Sequence, residues 1–544
     1  MNATADVPHP PARVVSRADL AIAFLVCWGV AIALQWLNGA YQAEFGREPD
    51  EAAHYVTGLC VRDYLAGGWP ASPLRFARNY YEHYPKVALG HWPPFFYALQ
   101  SAWTLPLGVS RASVLMMMAA LAAATATLLF AFLAREFGRV MAAAGALLFL
   151  SLPLVQQFSA AVMTEMAMAL LTWLAMQSWA RFLESEQRRD ALAFGAVAGL
   201  AILTKFSGVA LALAAPLGLV LAGRLRLLGS LNLWLGAGVT ALLAGPWTLA
   251  TLSIAQEGML GERWGWDFSH RAVPYYAAKF HQALGTGVLL MSLIGLGAMV
   301  LWPRWRRPGG AALPVSARWA GVAALMLAVI LMHMIVPTGR EARHLVPALV
   351  PAVALALAGA NTAAKWLQRR GLSAPVARAL VLLAVGGAFV AETFRLQPKG
   401  YAGFGAVAQT VLRETQARPT RVLVCSDARG EGMFIAEMAM RERRPGSVIR
   451  RGSKVLARSS WSGADHQDTI RDAEELLGFL QRDGVKFVVV DTAVPARYRR
   501  PYHELVEQTT ARPDGRFELI AELPVQRQAV WQQRALRLYR VSWP

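Results

Sequence analysis

The sequence predicts a polytopic α-helical membrane protein that ends in a smaller α/β domain. Long apolar runs recur through the first 395 residues, and most are long enough to cross a bilayer. The chain is 55% hydrophobic and only 16% charged, whereas soluble proteins carry about 25% charged residues. After residue 395 the long runs give way to short strand-like runs around an amphipathic segment. The chain therefore divides into a membrane domain, residues 1–395, and an extramembrane domain, residues 396–544.

About eleven membrane-spanning helices are predicted. They cover residues 20–38, 112–134, 140–156, 166–182, 191–204, 206–223, 230–250, 284–302, 319–336, 345–360 and 378–394. The run at 191–204 is short, so we expect a tilted or partly inserted helix there. The first run is long for a signal peptide and lacks a small-residue cleavage site, so we expect it to act as an uncleaved anchor.

Basic residues in alternate short loops predict the orientation, because cytoplasmic loops are enriched in Lys and Arg. They are Arg13, Arg17, Arg135, Arg139, Arg181, Arg188, Arg189, Arg224, Arg226, Arg304, Arg306, Arg307, Lys365, Arg369, Arg370 and Arg378. This pattern predicts a cell (inner) membrane protein with a cytoplasmic N-terminus and an extracytoplasmic C-terminal domain. It also accounts for the net charge of +19 without a nucleic-acid partner.

The opposite, outer face receives the longest loops. The first outer loop, residues 39–110, is rich in Trp, Tyr, Pro and His, and its segments 51–65 and 94–107 are predicted to be interfacial helices. Long structured loops on one face indicate that the protein works at that face.

The C-terminal domain is predicted to contain strands at 421–426, 486–492, 517–523 and 535–541, with a helix at 468–482. It shows neither a Gly-rich phosphate loop nor a metal cluster, so we expect a binding or scaffolding role. Cys27, Cys60 and Cys425 lack metal-ligand spacing. A Cys60–Cys425 disulfide is compatible with the sequence but has no support in it.

Five short motifs fall in order on the predicted outer face. They are Asp50-Glu51, His91-Trp-Pro-Pro-Phe-Phe-Tyr97, Met163-Thr-Glu-Met166, Leu203-Thr-Lys-Phe-Ser-Gly208 and Gly339-Arg-Glu-Ala-Arg-His-Leu-Val-Pro347. Adjacent carboxylates at a membrane exit suit acid–base work, because one can take a proton while the other holds geometry. Basic residues in the short outer loop at 339–344 oppose the usual charge distribution, which favours a functional role.

In order and sidedness these motifs resemble those of the GT-C type of polytopic, lipid-dependent glycosyltransferases. The branch of protein O-mannosyltransferases and aminoarabinose (lipid A) transferases is the most similar, and the resemblance covers about residues 18–395. It implies the GT-C fold and a sugar donor linked to a polyprenyl phosphate or diphosphate. The sugar would pass to a lipid, glycan or protein hydroxyl at the extracytoplasmic face.

The resemblance also implies residue roles. Asp50 would be the general base, and Glu51 would share that role, help to bind the acceptor or contact a cation. Lys205, Arg340, Arg343 and His344 would bind the donor phosphate, because Arg grips phosphate oxygens in a fixed fork and Lys acts as a point charge. Substrate contacts would come from Glu165, His91, Trp92, Tyr97 and Tyr55. The branch is metal-independent, so a divalent metal is not expected, although His91 beside Asp50 is compatible with one.

Each role has a structural alternative. Lys205 is also consistent with a snorkelling helix-end lysine, Glu165 with an exposed loop acid, and Trp92 and Tyr97 with the interfacial aromatic belt. Two rival functions also stand: a transporter or flippase of lipid-linked sugars, and a non-catalytic member of the same fold. A transporter would place charges at the bilayer midplane and show paired halves, which this sequence does not. The residues do not select the sugar, its carrier or the acceptor.

Overall fold

The computed structural model describes residues 15–70, 72–88, 90–254, 264–302, 315–337, 339–458, 466–528 and 530–543. The basic residues Arg13, Arg304, Arg306 and Arg307 of the orientation pattern, and part of the predicted 251–283 loop, lie outside these ranges.

The membrane part and its outer loops are helical. The α-helices are α1 Arg17–Leu37, α2 Glu51–Ala66, α3 Pro73–His83, α4 Phe95–Leu107, α5 Arg111–Phe137, α6 Arg139–Ser151, α7 Pro153–Ser159, α8 Glu165–Ser185, α9 Arg188–Ile202, α10 Ala210–Ala222, α11 Leu231–Ala250, α12 Trp266–Leu296, α13 Ala317–Ile335, α14 Val346–Gln368 and α15 Ala374–Glu392. Short 3-10 turns at Phe206–Val209 and Ala342–Leu345 precede α10 and α14.

Helical structure coincides with each of the eleven predicted spans, although the span at 140–156 is divided between α6 and α7, and the protein is a multi-pass membrane protein. Within the described residues, seven helices are long and apolar enough to cross a bilayer on their own, or eight if α6 and α7, bent by 67° at Leu152, form one broken span. The run predicted to be short is α9, which has 15 residues.

Helix α14 is the centre of the bundle, because 94% of the residues in its most apolar segment are buried. Small residues let α12 approach it closely: a Cβ at Gly295 would lie 1.9 Å from the Leu355 carbonyl oxygen, and one at Gly359 would lie 2.0 Å from that of Met291. Close backbone contact of this kind is how membrane helices pack without a hydrophobic driving force. The 3-10 turn that carries Arg343 therefore begins at the outer end of the most firmly held helix.

The two interfacial helices predicted in the first outer loop exist as α2 and α4, and α2 is enclosed by other parts of the protein. Its first ten residues, from Glu51 to Cys60, are all buried. Helix α2 is covered by α4 and by the C-terminal domain, and its position relative to the membrane surface stays a prediction.

The C-terminal part is an α/β unit, and every predicted strand is present. Its elements are β1 Tyr401–Ala402, α16 Phe404–Glu414, β2 Arg421–Cys425, α17 Ala428–Arg441, β3 Val448–Arg451, α18 Gly452–Val455, β4 Ala457–Arg458, β5 Gln467–Asp468, α19 Ala473–Asp483, β6 Phe487–Asp491, α20 Pro501–Thr510, β7 Phe517–Arg527 and β8 Val530–Val541. The main sheet has the order β1-β7-β8-β6-β2-β3. Strands β6, β2 and β3 are parallel, while β8 pairs antiparallel with β6.

Buried polar contacts tie this unit to the first outer loop. Arg444 donates to Asp63 at 2.7 Å, and Tyr84 donates to Glu442 at 2.7 Å. The buried carboxylate of Glu44 accepts hydrogen bonds from the backbone of residues 403–405. Because buried polar groups must be paired, these contacts fix how the domain sits on the loop. Cys27, Cys60 and Cys425 are all buried free thiols, so the disulfide is not formed.

Candidate active site

Asp50 stands at the N-terminus of α2 with its side chain turned away from the helix. An aspartate in this position usually caps the helix by accepting a backbone N–H, but the Asp50 side chain makes no such bond. Its Oδ2 instead accepts a hydrogen bond from Arg343 Nη2 at 3.2 Å. The side chain is 30% exposed, so one side of the carboxylate is open to a ligand.

Two further charged residues join this pair. Lys205 Nζ donates to Glu165 Oε1 at 2.8 Å, and Arg343 Nε lies 3.9 Å from the same oxygen. Glu165 is 1% exposed, and its Oε2 has no hydrogen-bond partner among the described residues. We call Asp50, Glu165, Lys205 and Arg343 the charged cluster.

Four separate elements build the cluster. Asp50 precedes α2, Glu165 opens α8, Lys205 follows the end of α9, and Arg343 lies in the turn before α14. The backbone N–H of Phe95 donates to the Leu203 carbonyl at 2.9 Å, which joins the motif at 91–97 to the turn that carries Lys205. Residues nearly 300 positions apart therefore meet, because their helices all end at one face.

Glu51 is directed into the protein rather than toward Asp50. It is fully buried and ion-paired with the equally buried Lys399. It also accepts the backbone N–H groups of Arg47 at 2.9 Å and Val162 at 3.2 Å. The arrangement does not fit the predicted sharing of the base role, because both carboxylate oxygens are already engaged.

Two aromatic residues of the first outer loop, Trp92 and Tyr97, pack against His54 of α2. The Trp92 ring stacks on His54 with centroids 4.2 Å apart, and the Tyr97 hydroxyl lies 2.9 Å from His54 Nδ1. Burial lowers the pKa of His54 to about 4, against the opposing effect of Asp50 and Glu165. His54 is therefore a neutral ring near pH 7, and it packs the residues that support Asp50. His91 is half-buried in the turn before α4.

Two predicted substrate contacts are corrected by burial. Tyr55 is fully buried, stacks on Phe45 with centroids 4.2 Å apart and donates to the Val109 carbonyl. Tyr97 is also fully buried. Neither ring is exposed to a ligand, because Tyr55 packs on Phe45, and Tyr97 packs against His54 and Phe96.

The two other predicted phosphate ligands occupy different environments. His344 is 6% exposed, stacks on His333 with centroids 4.5 Å apart and lies 3.0 Å from the Tyr276 hydroxyl. Its ring is therefore held in the helix bundle, which argues against phosphate binding. Arg340 is exposed on the loop that leads to Arg343.

Sequence reasoning missed three charged residues at the edge of the cluster. Lys86 is 9% exposed and donates to the Pro49 carbonyl at 3.2 Å. Glu48 accepts from Gln157 at 3.4 Å, and Arg429 of the C-terminal domain lies 3.9 Å from it. Lys86 shares its loop with Arg47, Arg62, Arg75 and Arg78, so no sequence signal distinguished it from these other basic residues.

A polar cavity of about 580 Å³ adjoins the cluster. Gln157, which contacts Glu48, and Ala342, which precedes Arg343, form one side of it. Lys279 and Arg395 are also in its wall. Cavities of this size hold small-molecule ligands. Among the described residues, no group of three His, Cys, Asp or Glu side chains is arranged to hold a metal.

Comparisons with known proteins agree with this architecture. The profile of the dolichyl-phosphate-mannose-protein mannosyltransferase family matches residues 91–249. No curated protein is significantly similar to the chain in sequence.

Solved structures match over most of the chain. ArnT from Cupriavidus metallidurans in the apo state is 14% identical, with a TM-score of 0.57 over 95% of this chain and 98% of that one. The same protein bound to undecaprenyl phosphate is 13% identical, with a TM-score of 0.55 over 96% and 98% of the two chains. The apo oligosaccharyltransferase of Archaeoglobus fulgidus is 14% identical, with a TM-score of 0.55 over 88% of this chain and 70% of that one. These matches confirm the resemblance seen in the sequence: the chain is a polytopic membrane protein with the GT-C glycosyltransferase fold.

Proposed function

We propose that the protein transfers a sugar from a polyprenyl-phosphate-linked donor to an acceptor hydroxyl at the extracytoplasmic face, with Asp50 as the general base. The observation that carries this proposal is the charged cluster itself. Arg343 contacts Asp50, and Arg343 and Lys205 both lie close to Glu165. The undecaprenyl phosphate bound to structurally similar ArnT supports the class of donor. The first outer loop and the C-terminal domain would then face the extracytoplasmic space.

The chemistry needs a base and an anion site side by side. The donor already carries a phosphate leaving group, so the remaining requirement is to activate the attacking hydroxyl. A positioned general base contributes about 10²- to 10⁴-fold to such a step. Asp50 would take the proton of the acceptor hydroxyl as its oxygen attacks the anomeric carbon, while Arg343 and Lys205 would stabilise the departing phosphate.

The open side of Asp50 and the adjoining polar cavity favour an enzyme over a transporter. A transporter places its binding groups at the bilayer midplane, whereas this cluster lies at the ends of α8 and α9. The cavity offers polar side chains, among them Gln157 and Lys279, for an acceptor or for the donor sugar. A glycosyltransferase accounts for both features.

Binding of undecaprenyl phosphate tests the anion site. We expect the purified protein to bind this lipid and Arg343→Gln to weaken binding about tenfold or more, because hydrogen bonds to charged groups contribute about 1.5–3 kcal/mol. Lys205→Gln should act in the same direction. Native mass spectrometry in lipid nanodiscs would give the affinities, with thermal midpoints to confirm folding.

Arg271→Gln is the matched control, because this arginine is exposed and contacts a carbonyl of its own helix. Equal binding by Arg343→Gln and Arg271→Gln would refute the site.

Lys86 should make this binding pH-dependent. Burial and the nearby Arg451 lower the pKa of Lys86 to about 7, although Asp50 and Glu431 oppose the shift. Above pH 7 the free protein must therefore take up a proton at Lys86 to bind an anion there. Affinity should fall by up to about tenfold per pH unit between pH 7 and 9. Lys86→Arg keeps its charge over this range, so its affinity should lack this fall. The ionisation of the lipid phosphate affects both proteins equally, so it cancels when the pH dependence of affinity is compared between the wild type and Lys86→Arg. An identical pH dependence in the two proteins would exclude Lys86 from the anion site.

A further inference from the structure

The first turn of α17, in the C-terminal domain, lies against the segment that carries Asp50. A Cβ at Gly432 would come within 3.1 Å of Ala52 Cβ and 2.9 Å of Lys86 Cε. The helix therefore packs closely on both the start of α2 and the lysine beside Pro49. The C-terminal domain supplies part of the wall around the charged cluster.

Arg429 projects from this turn toward Glu48. Its side chain is 19% exposed, and its Nη2 lies 3.9 Å from Glu48 Oε2. The guanidinium also lies 5.7 Å from the centroid of the Tyr401 ring. The first turn of a helix favours negative charge, so an arginine here does not serve the stability of α17. Its position is better explained by the carboxylate it faces.

Glu48 lies two residues before Asp50, the carboxylate that Arg343 contacts. Arg343 interacts with Asp50 at 3.2 Å and with Glu165 at 3.9 Å, and Glu341 is a third, closer partner. Burial raises the pKa of Glu48, and the charges of Arg343 and Arg429 oppose that rise. Without Arg429, the cations left to balance the charge of Glu48 would be Arg343 and Arg47, and a shift of Arg343 toward Glu48 would draw it away from Asp50.

We propose that Arg429 is a positioning residue through which the C-terminal domain completes the active site. By neutralising Glu48, it keeps Arg343 directed at Asp50 and available to the donor phosphate. The proposal rests on the function proposed above, because it assumes that Arg343 contacts that phosphate. It gives the domain a role in the reaction in addition to its role as a scaffold.

The test is a double-mutant cycle between Arg429 and Glu48, read out as the affinity of the full-length protein for undecaprenyl phosphate. Arg429→Gln should weaken binding about five- to tenfold, and Arg429→Lys should stay within about threefold because it keeps the charge. The double variant Arg429→Gln/Glu48→Gln should recover most of the loss, because the competing carboxylate is gone. Arg443→Gln, an exposed arginine of the same domain, is the control. Thermal midpoints are measured for every variant.

The outcomes separate the two proposals. If the wild-type protein does not bind undecaprenyl phosphate, the proposed function fails. If it binds, and Arg429→Gln matches Arg443→Gln, the role of Arg429 is refuted. The role of Arg429 is also refuted if Arg429→Gln and Glu48→Gln each lower the affinity and their effects add in the double variant. A residue that acts through Glu48 should have no effect once Glu48 is neutral. Recovery in the double variant, with a normal thermal midpoint, supports it.

Discussion

Replacing Asp50 by Asn is expected to lower sugar transfer about 10²- to 10⁴-fold, the usual contribution of a general base. The amide has nearly the same shape as the carboxylate but cannot take a proton from the acceptor hydroxyl. Binding of undecaprenyl phosphate should be retained, because Arg343 and Lys205 are unchanged. The measurement is the conversion of sugar-linked to free polyprenyl phosphate in membranes that supply the donor, followed by mass spectrometry.

Asp267→Asn is a suitable control for this experiment. Asp267 is an exposed carboxylate in the first turn of α12, and its backbone carbonyl accepts a hydrogen bond from Arg271 of the same helix. Its replacement should leave transfer within about twofold of the wild type. Full transfer by Asp50→Asn at normal protein levels would exclude Asp50 as the base and would favour a transporter or a binding protein.

The alternation of the loops predicted that Asp50, Glu165, Lys205 and Arg343 share one face, and the resemblance to GT-C glycosyltransferases implied that they form one site. Each residue lies at the end of a long apolar run, and alternation of the loops assigns those ends to the outer side. The structure places all four within one network of contacts. The long apolar runs therefore predicted the fold class, and the motifs that carry the resemblance pointed to the residues of the cluster.

The orientation of individual side chains could not be predicted in the same way. Adjacent residues at the start of a helix point about 100° apart, since the helix has 3.6 residues per turn. Asp50 consequently keeps a 30% exposed side chain, while Glu51 is fully buried. Tyr55 follows Glu51 by one turn and is buried with it. Which of two neighbouring acids faces the cavity depends on what covers α2, and the sequence pattern does not contain that information.

The partners supplied by the C-terminal domain were also beyond sequence reasoning. Lys399 pairs with Glu51 across 348 residues, and Arg429 faces Glu48 from a helix with no recognisable motif. These contacts arise from how one domain docks on the other. The sequence of a single segment does not contain this information. It shows only that Lys399 is a lysine just after the last predicted span.

Replacing Lys399 by Met is expected to destabilise the protein by about 3–5 kcal/mol, the largest stability effect among these predictions. Both Lys399 and Glu51 are excluded from solvent, and removal of the lysine leaves a buried carboxylate without its counter-charge. Burial lowers the pKa of Lys399, while Glu51 opposes this and favours the charged amine. The measurement is the thermal unfolding midpoint in detergent.

The double variant Lys399→Met/Glu51→Gln distinguishes an unpaired charge from a simple packing defect. A glutamine can still accept a backbone N–H from Arg47 or Val162, and it carries no charge that requires a partner. We therefore expect the double variant to recover at least half of the lost stability. If instead it unfolds at a lower temperature than Lys399→Met, then the packing of the lysine stem dominates. Lys365→Met, at an exposed site near the end of α14, should leave the midpoint nearly unchanged, because no buried carboxylate depends on it.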